Sequence, residues 1–273
     1  MAFLTFRDLP IYLSTAGLPS EGENNSTMVH ATQGQFNYTP NLQQNRLLGQ
    51  QAASKNNFVV AGPPAATLSF SAYLKNGEFE PNDFTGNNPI HFRIGDAAGD
   101  ELRGRNMYLS SYSYSIAPYQ PILVNAEFAI YERPSGQMAA ETTNGPAPTS
   151  IGTYAHSVYS TVGAAAQVSA TLLESVQYQF QTTRLPIYQI GSKAPSEVKQ
   201  LSAEQSCTIV GDQIDLIIAE TGKAVTSFDI TLNNSTPAEV MKNTINGQMI
   251  AENVSISAGD IARGTVTISE PLI

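Results

Sequence analysis

Apolar and polar residues alternate in many short runs along this chain. Residues 67–74 set Leu68, Phe70, Ala72 and Leu74 against Thr67, Ser69, Ser71 and Tyr73. Residues 108–116 alternate in the same way, and residues 122–131 are rich in β-formers. In the second half, residues 207–210, 213–218, 227–232, 253–257 and 264–269 have the same character. Period-two alternation broken by turn residues predicts half-buried antiparallel strands.

Helix signals are few. Thr236, Pro237 and Glu239 supply an N-cap, a proline at the first helical position and an acid at the third. They predict a short helix through Val240, Met241, Lys242 and Asn243 that stops before Asn246-Gly247. Residues 99–103 are its poorer counterpart in the first half, and residues 194–200 can form one helical turn. The expected fold is therefore mainly β.

Residues 133–150 are rich in turn formers and have no apolar period, which marks a linker. Residues 20–26 read as an exposed polar loop. The linker separates a first β domain with an N-terminal extension, 1–132, from a second, 151–273.

The two halves also resemble each other. Gln35, Phe36 and Tyr38 are followed by Gly49, just as Gln177, Tyr178 and Phe180 are followed by Gly191. The interval from Gln to Gly is 14 residues in both. Downstream, Thr67-Leu68 matches Thr208-Ile209 after a one-residue adjustment, and residues 90–94 match 228–232. Residues 114–116 match 254–256, and the runs ending in Glu132 and Glu270 match each other. Shared order and spacing point to an internal duplication. The expected architecture is two tandem antiparallel β-sandwiches or half-barrels, each with a short flanking α-helix. Gly49 and Gly191 mark a bend or a positive-φ turn after a long strand.

Composition narrows the function. Only 14% of the 273 residues are charged, against 41% hydrophobic. A charged share this low suits a surface largely covered by other subunits. The formal net charge of −9 argues against a protein that grips nucleic acid, since phosphate contacts need clustered Lys and Arg. It leaves room for one that lets DNA pass. Cys207 is the single cysteine, so no disulfide forms within the chain, and a buried strand position suits it better than a nucleophile's role. The first ten residues do not make a signal peptide, and no run approaches the ~18 apolar residues of a membrane helix. The chain is expected to be made in the cytoplasm.

No catalytic pattern emerges. His30, His91 and His156 lie far apart and in no metal-ligand frame. Nucleophile-elbow, phosphate-loop and dinucleotide motifs are missing from the sequence. Asp96, Asp100 and Glu101 could hold Ca²⁺, but they lack the EF-hand spacing and read better as a polar turn. Arg103 and Arg105 suit a loop salt bridge. Tyr108, Tyr112, Tyr114 and Tyr119 read as core or subunit-contact residues in the absence of a basic groove. The expectation is a non-enzymatic protein with no cofactor and no metal.

These features together resemble the tail tube proteins of long-tailed bacteriophages. The likeness rests on the strands closing at Leu48-Gly49 and Ile190-Gly191, the strand at 67–74 with its partner, the capped segment at Thr236, and the β finishes at 122–132 and 264–270. It covers residues 27–132 and 173–273. The family resemblance implies a β-sandwich with a flanking helix, assembling into stacked rings around the channel for genome ejection. It implies a place in the virion tail, contacts with other tail proteins, and DNA passing without specific binding.

Many members carry one tube domain per chain and form hexamers. Two domains here imply a homo-oligomeric ring of three with pseudo-sixfold symmetry. A true hexamer with the second half on the outside is the other arrangement. Residues before 27 have no counterpart in the second half, which leaves open a baseplate, tail-terminator or capsid-decoration role. A carbohydrate-binding β-sandwich is the alternative from another class, disfavoured by the absence of Trp. For a tube, the excess of 23 acidic over 14 basic residues is available to line the channel. The candidate lumen acids, in turns and at strand ends, are Glu78, Glu80, Asp83, Asp212, Asp215 and Asp229.

Overall fold

The computed structural model describes residues 11–16, 27–44, 58–60, 62–75, 79–95, 101–137, 161–162, 173–192, 194–211, 228–233, 239–255 and 263–272. It is mainly β and antiparallel. The first half holds β1 (Ile11–Ser14), β2 (Thr27–Val29), β3 (Ala31–Thr39), β4 (Leu42–Gln44), β5 (Phe58–Val60), β6 (Ala65–Tyr73), β7 (Ile90–Gly95), β8 (Glu101–Ile116), β9 (Leu123–Ile130) and β10 (Ser135–Gln137). The second holds β11 (Thr161–Val162), β12 (Leu173–Ile187), β13 (Glu197–Gly211), β14 (Phe228–Asn233), β15 (Glu239–Ile245), β16 (Gln248–Ser255) and β17 (Arg263–Pro271). The strands at 67–74, 108–116 and 122–131 fall where alternation places them. Along β6, Leu68 and Phe70 are buried while Thr67 and Ser69 stay half-buried.

Eight strands form one continuous stretch of sheet in the order β3-β6-β9-β8-β12-β13-β17-β16. Four come from each half. Among them β8 joins the halves: its Met107–Tyr114 stretch pairs with β9, and Ser111–Ile116 also pairs with β12. The first part of β8 pairs with β7 instead. The change falls at Asn106, whose φ of 53° turns the strand. In the second half the same job is split between β15, which pairs with β14, and β16, which pairs with β17. Asn246-Gly247 breaks the strand between them.

The pairing order is thus β3-β6-β9-β8-β7 in one half and β12-β13-β17-(β16, β15)-β14 in the other. Two pairs of bulges coincide as well. One lies between Ala31 and Gln33 on β3 and between Leu173 and Ser175 on β12. A second lies between Leu109 and Ser111 on β8 and between Met249 and Ala251 on β16. Aligning the bulges places Gln35 with Gln177 and Phe36 with Tyr178, as the sequence repeat has them. It places Leu68 with Cys207 and Phe128 with Ile268, two residues from the matches read from sequence. A two-residue slip keeps every side chain on its face, so alternation is blind to it.

The expected flanking helices do not form among the described residues. Residues 239–245 form β15, with Met241, Asn243 and Ile245 buried and Lys242 and Thr244 exposed. The cap signal at Thr236 is local and a helix this short is marginal, whereas a hairpin with β14 buries Phe228, Ile230 and Leu232 completely. Of residues 99–103, those from Glu101 onward begin β8, and of residues 194–200 those from Glu197 begin β13. The helical element among the described residues is one 3-10 turn, Pro81–Phe84, started by its proline. Of the predicted linker, Ser135–Gln137 form β10 against the start of β8. No helix of the described residues is long and apolar enough to cross a membrane.

Candidate functional site: a hollowed polar sheet face

The eight-strand sheet has two unlike faces because its strands alternate. One face carries Leu68, Phe70, Phe128, Tyr112, Tyr114, Val176, Tyr178, Cys207, Ile209 and Ile268, all buried. The 3-10 turn and the β14–β15 hairpin lie over this face. There Tyr112 Oη donates to Asn82 Oδ1 at 2.5 Å and accepts from Asn243 Nδ2 at 2.8 Å. Tyr114 Oη donates to Asn243 Oδ1 at 2.8 Å, and Tyr178 Oη to Gln205 Oε1 at 2.7 Å. Gln205 Nε2 in turn reaches Glu270 Oε2 at 2.6 Å. Tyr114 and Tyr178 stack with centroids 5.0 Å apart across the junction of the halves. Three of the four tyrosines singled out in the sequence, Tyr108, Tyr112 and Tyr114, are core residues, and Tyr119 is exposed.

The opposite face is open and polar. One cross-strand row runs over all eight strands: Gln33, Ser71, Asn125, Ser113, Gln179, Ser206, Ser269 and Gln248. Every member is polar and uncharged. Ser71 Oγ donates to Asn125 Oδ1 at 2.6 Å and accepts from Gln33 Nε2 at 3.2 Å, while Thr208 and Thr267 hydroxyls meet at 3.2 Å. The neighbouring row holds Gln35, Ser69, Glu127, Ser111, Gln181 and Glu204. Its two carboxylates are Glu127 and Glu204, and farther along the β12–β13 pair the same side of the sheet carries Lys199 and Glu197, 3.8 Å apart. Glu204 accepts from Ser269 Oγ at 2.6 Å. At the rim Arg263 pairs with Glu174 at 3.0 Å. The face is hollowed over β3, β6, β9 and β8 by a cleft of about 570 Å³ and over β8, β12 and β13 by one of about 380 Å³.

Three of the candidate lumen acids, Glu80, Asp83 and Asp229, lie off this face. Glu78, Asp212 and Asp215 fall outside the described residues. Glu80 precedes and Asp83 lies in the 3-10 turn on the packed side, where burial first, then Asp83 and Glu239, raise the Glu80 carboxyl above its ordinary range. Asp229 is on β14 and is held low by hydrogen bonds from Thr244 and Lys242, the latter at 2.9 Å. None of these three is a residue of the eight-strand sheet. Glu127 and Glu204 are not among the candidates, which stand in turns and at strand ends. Their signal is the alternation itself: Glu127 sits between buried Ala126 and Phe128, and Glu204 between Ala203 and Gln205.

Of the repeat markers, Gln35 and Gln177 point onto the open face, and Phe36 and Tyr178 lie on the packed one. Gly191 has a φ of 85° in the turn after β12, and Gly49 lies outside the described residues. Cys207 is fully buried, and burial pushes its thiol up to about 12, so it stays protonated. His91 is held below its usual range by burial and by Arg105. Among the described residues no three His, Cys, Asp or Glu side chains gather as metal ligands. No protein-family model matches the chain, and no curated protein matches it.

Proposed function

We propose that this chain is a structural subunit of a bacteriophage tail tube, assembling into stacked rings whose channel passes the genome. The observation that carries this reading is the hollowed sheet face. It is broad, continuous across both halves, and nearly free of charge. A wall that touches a passing duplex must not hold it, and Lys or Arg on it would bind phosphates by counterion release. Ser, Thr, Asn and Gln keep such a wall wetted while adding no fixed positive charge.

The repeated four-strand unit supports a ring of three chains with pseudo-sixfold symmetry, since similar surfaces repeated head to tail close naturally. Three chains would contribute 24 strands if all eight from each line the channel. At about 4.8 Å per strand that is a wall some 115 Å around and about 37 Å across before tilt. Barrels of about 16–18 strands already enclose an aqueous channel. In this reading the chain works in the virion tail, among other tail proteins, and performs no chemistry.

Negative-stain microscopy of the purified protein tests it. Rings or tubes with a central channel and three chains per ring are expected. A folded chain that stays monomeric at high concentration, or rings of six chains, would overturn the reading or its trimeric form respectively.

A further inference from the structure

We infer that neighbouring copies join by antiparallel pairing of β16 of one chain with β3 of the next, in the register that β8 and β12 already display within the chain. This rests on the ring-forming reading above and specifies its subunit contact.

Among the described residues, β3 pairs only with β6, and β16 only with β17. They are the two ends of the eight-strand sheet, so each presents an unpaired edge. A nine-residue edge strand such as β3, exposed along most of its length, is a liability unless another chain covers it. The internal repeat says what covers it. In the aligned halves β3 corresponds to β12, and β16 to the second part of β8. The β8–β12 junction therefore joins the first unit to the second. The same junction, carried forward by one unit, joins β16 to the next chain's β3.

The shared bulges set the register. Within the chain Tyr178 faces Tyr114 and Gln179 faces Ser113. Carried forward, Phe36 faces Val254, Asn37 faces Asn253, and Gln35 faces Ser255. Phe180 facing Tyr112 becomes Tyr38 facing Glu252, and the exposed apolar side chains at the two edges fit the transfer. On the packed face, Tyr38 and Val254 are 38% and 41% exposed, although their internal counterparts Phe180 and Tyr114 are buried. Pairing the edges would remove both from water. On the open face, Asn37 and Asn253 extend the uncharged polar surface without a break.

Cysteine cross-linking tests the register. Asn37→Cys and Asn253→Cys are placed in one chain, with Cys207 left as it is because it is buried. The two new thiols cannot meet within a chain, since seven strand spacings, about 34 Å, separate them. After assembly and mild oxidation, a denaturing non-reducing gel should show a ladder of linked chains. Its yield should be several-fold above that of Asn37→Cys with Ser255→Cys, a diagonal pair about 7–8 Å apart and beyond disulfide reach. Rings that form without the Asn37–Asn253 link, or a diagonal pair that links equally well, overturn the seam and leave the tube reading standing. Linked ladders without rings or tubes uphold the seam and overturn the tube reading. Val254→Lys gives a second test. It should leave the far-ultraviolet circular dichroism of the monomer unchanged and abolish assembly, and a lysine variant that assembles like the parent chain overturns the seam.

Discussion

At the scale of single residues, the most consequential feature is the buried polar cluster between the halves. Tyr112 serves two asparagines at once. Tyr112→Phe keeps the ring and removes both bonds, while Asn243 Nδ2 still donates to Asn82 Oδ1 at 3.1 Å, so the loss should be about 1 kcal/mol. A lower denaturant midpoint with an unchanged slope is the expected result of urea unfolding. The same cluster makes the fold sensitive to base. Burial raises the Tyr178 phenol to about 12 from an ordinary 10.0, and lifts Tyr112 and Tyr114 well above 10.0. The folded chain therefore keeps protons that the unfolded chain releases. The stability this represents is complete below about pH 10 and is lost as pH rises toward 12. All 12 tyrosines contribute to the total phenolate absorbance, so the readout is the part that Tyr178→Phe removes, and that part should appear together with loss of structure over the window. The same part appearing in a chain that remains folded would contradict it.

At the scale of elements, alternation made the strands legible and local cap chemistry misled. Residues 67–74 and 122–131 read correctly because the apolar partners of their exposed residues are buried in the same sheet. Residues 239–245 did not, because Thr236 and Pro237 imitate a helix start while the burial that decides the matter comes from β14, which is near only in the fold. The polar face was legible in its parts, as Gln177, Gln179 and Gln181 alternate with Val176, Tyr178 and Phe180. Its extent was not, since nothing local says that β8 pairs with β12. Two substitutions probe these elements. Ile230→Ala, in the hairpin that covers the apolar face, should cost about 2–5 kcal/mol in unfolding experiments. Asn106 holds φ at 53° and its Nδ2 donates to Glu132 Oε2 at 2.8 Å. Asn106→Val should therefore destabilise by at least about 1–2 kcal/mol, and Asn106→Gly by less, because glycine accepts that backbone conformation. Equal losses for the two would mean that the hydrogen bond, and not the turn of β8, is what Asn106 provides.

At the scale of the whole molecule, net charge and its placement are separate matters. The chain carries a formal −9, yet where β8 meets β9 and β12 the hollowed face holds two carboxylates, Glu127 and Glu204, both in one cross-strand row. In a closed ring of three, that row would become a belt of six carboxylates at one level of an otherwise neutral wall. Neutral polar side chains leave a duplex unbound, and the belt adds repulsion at one height. Reversing the belt with Glu127→Lys and Glu204→Lys tests whether the face meets DNA at all. Both positions are solvent-facing, so folding and ring formation should persist. If the face lines the channel, the double variant should retain linear duplex DNA on sedimentation at low salt. Retention should fall steeply as salt rises, because each phosphate contact formed releases counterions and steepens the dependence. The parent chain should retain little at any salt. Variant assemblies that hold no more DNA than the parent would place this face away from any DNA channel, whatever its polarity.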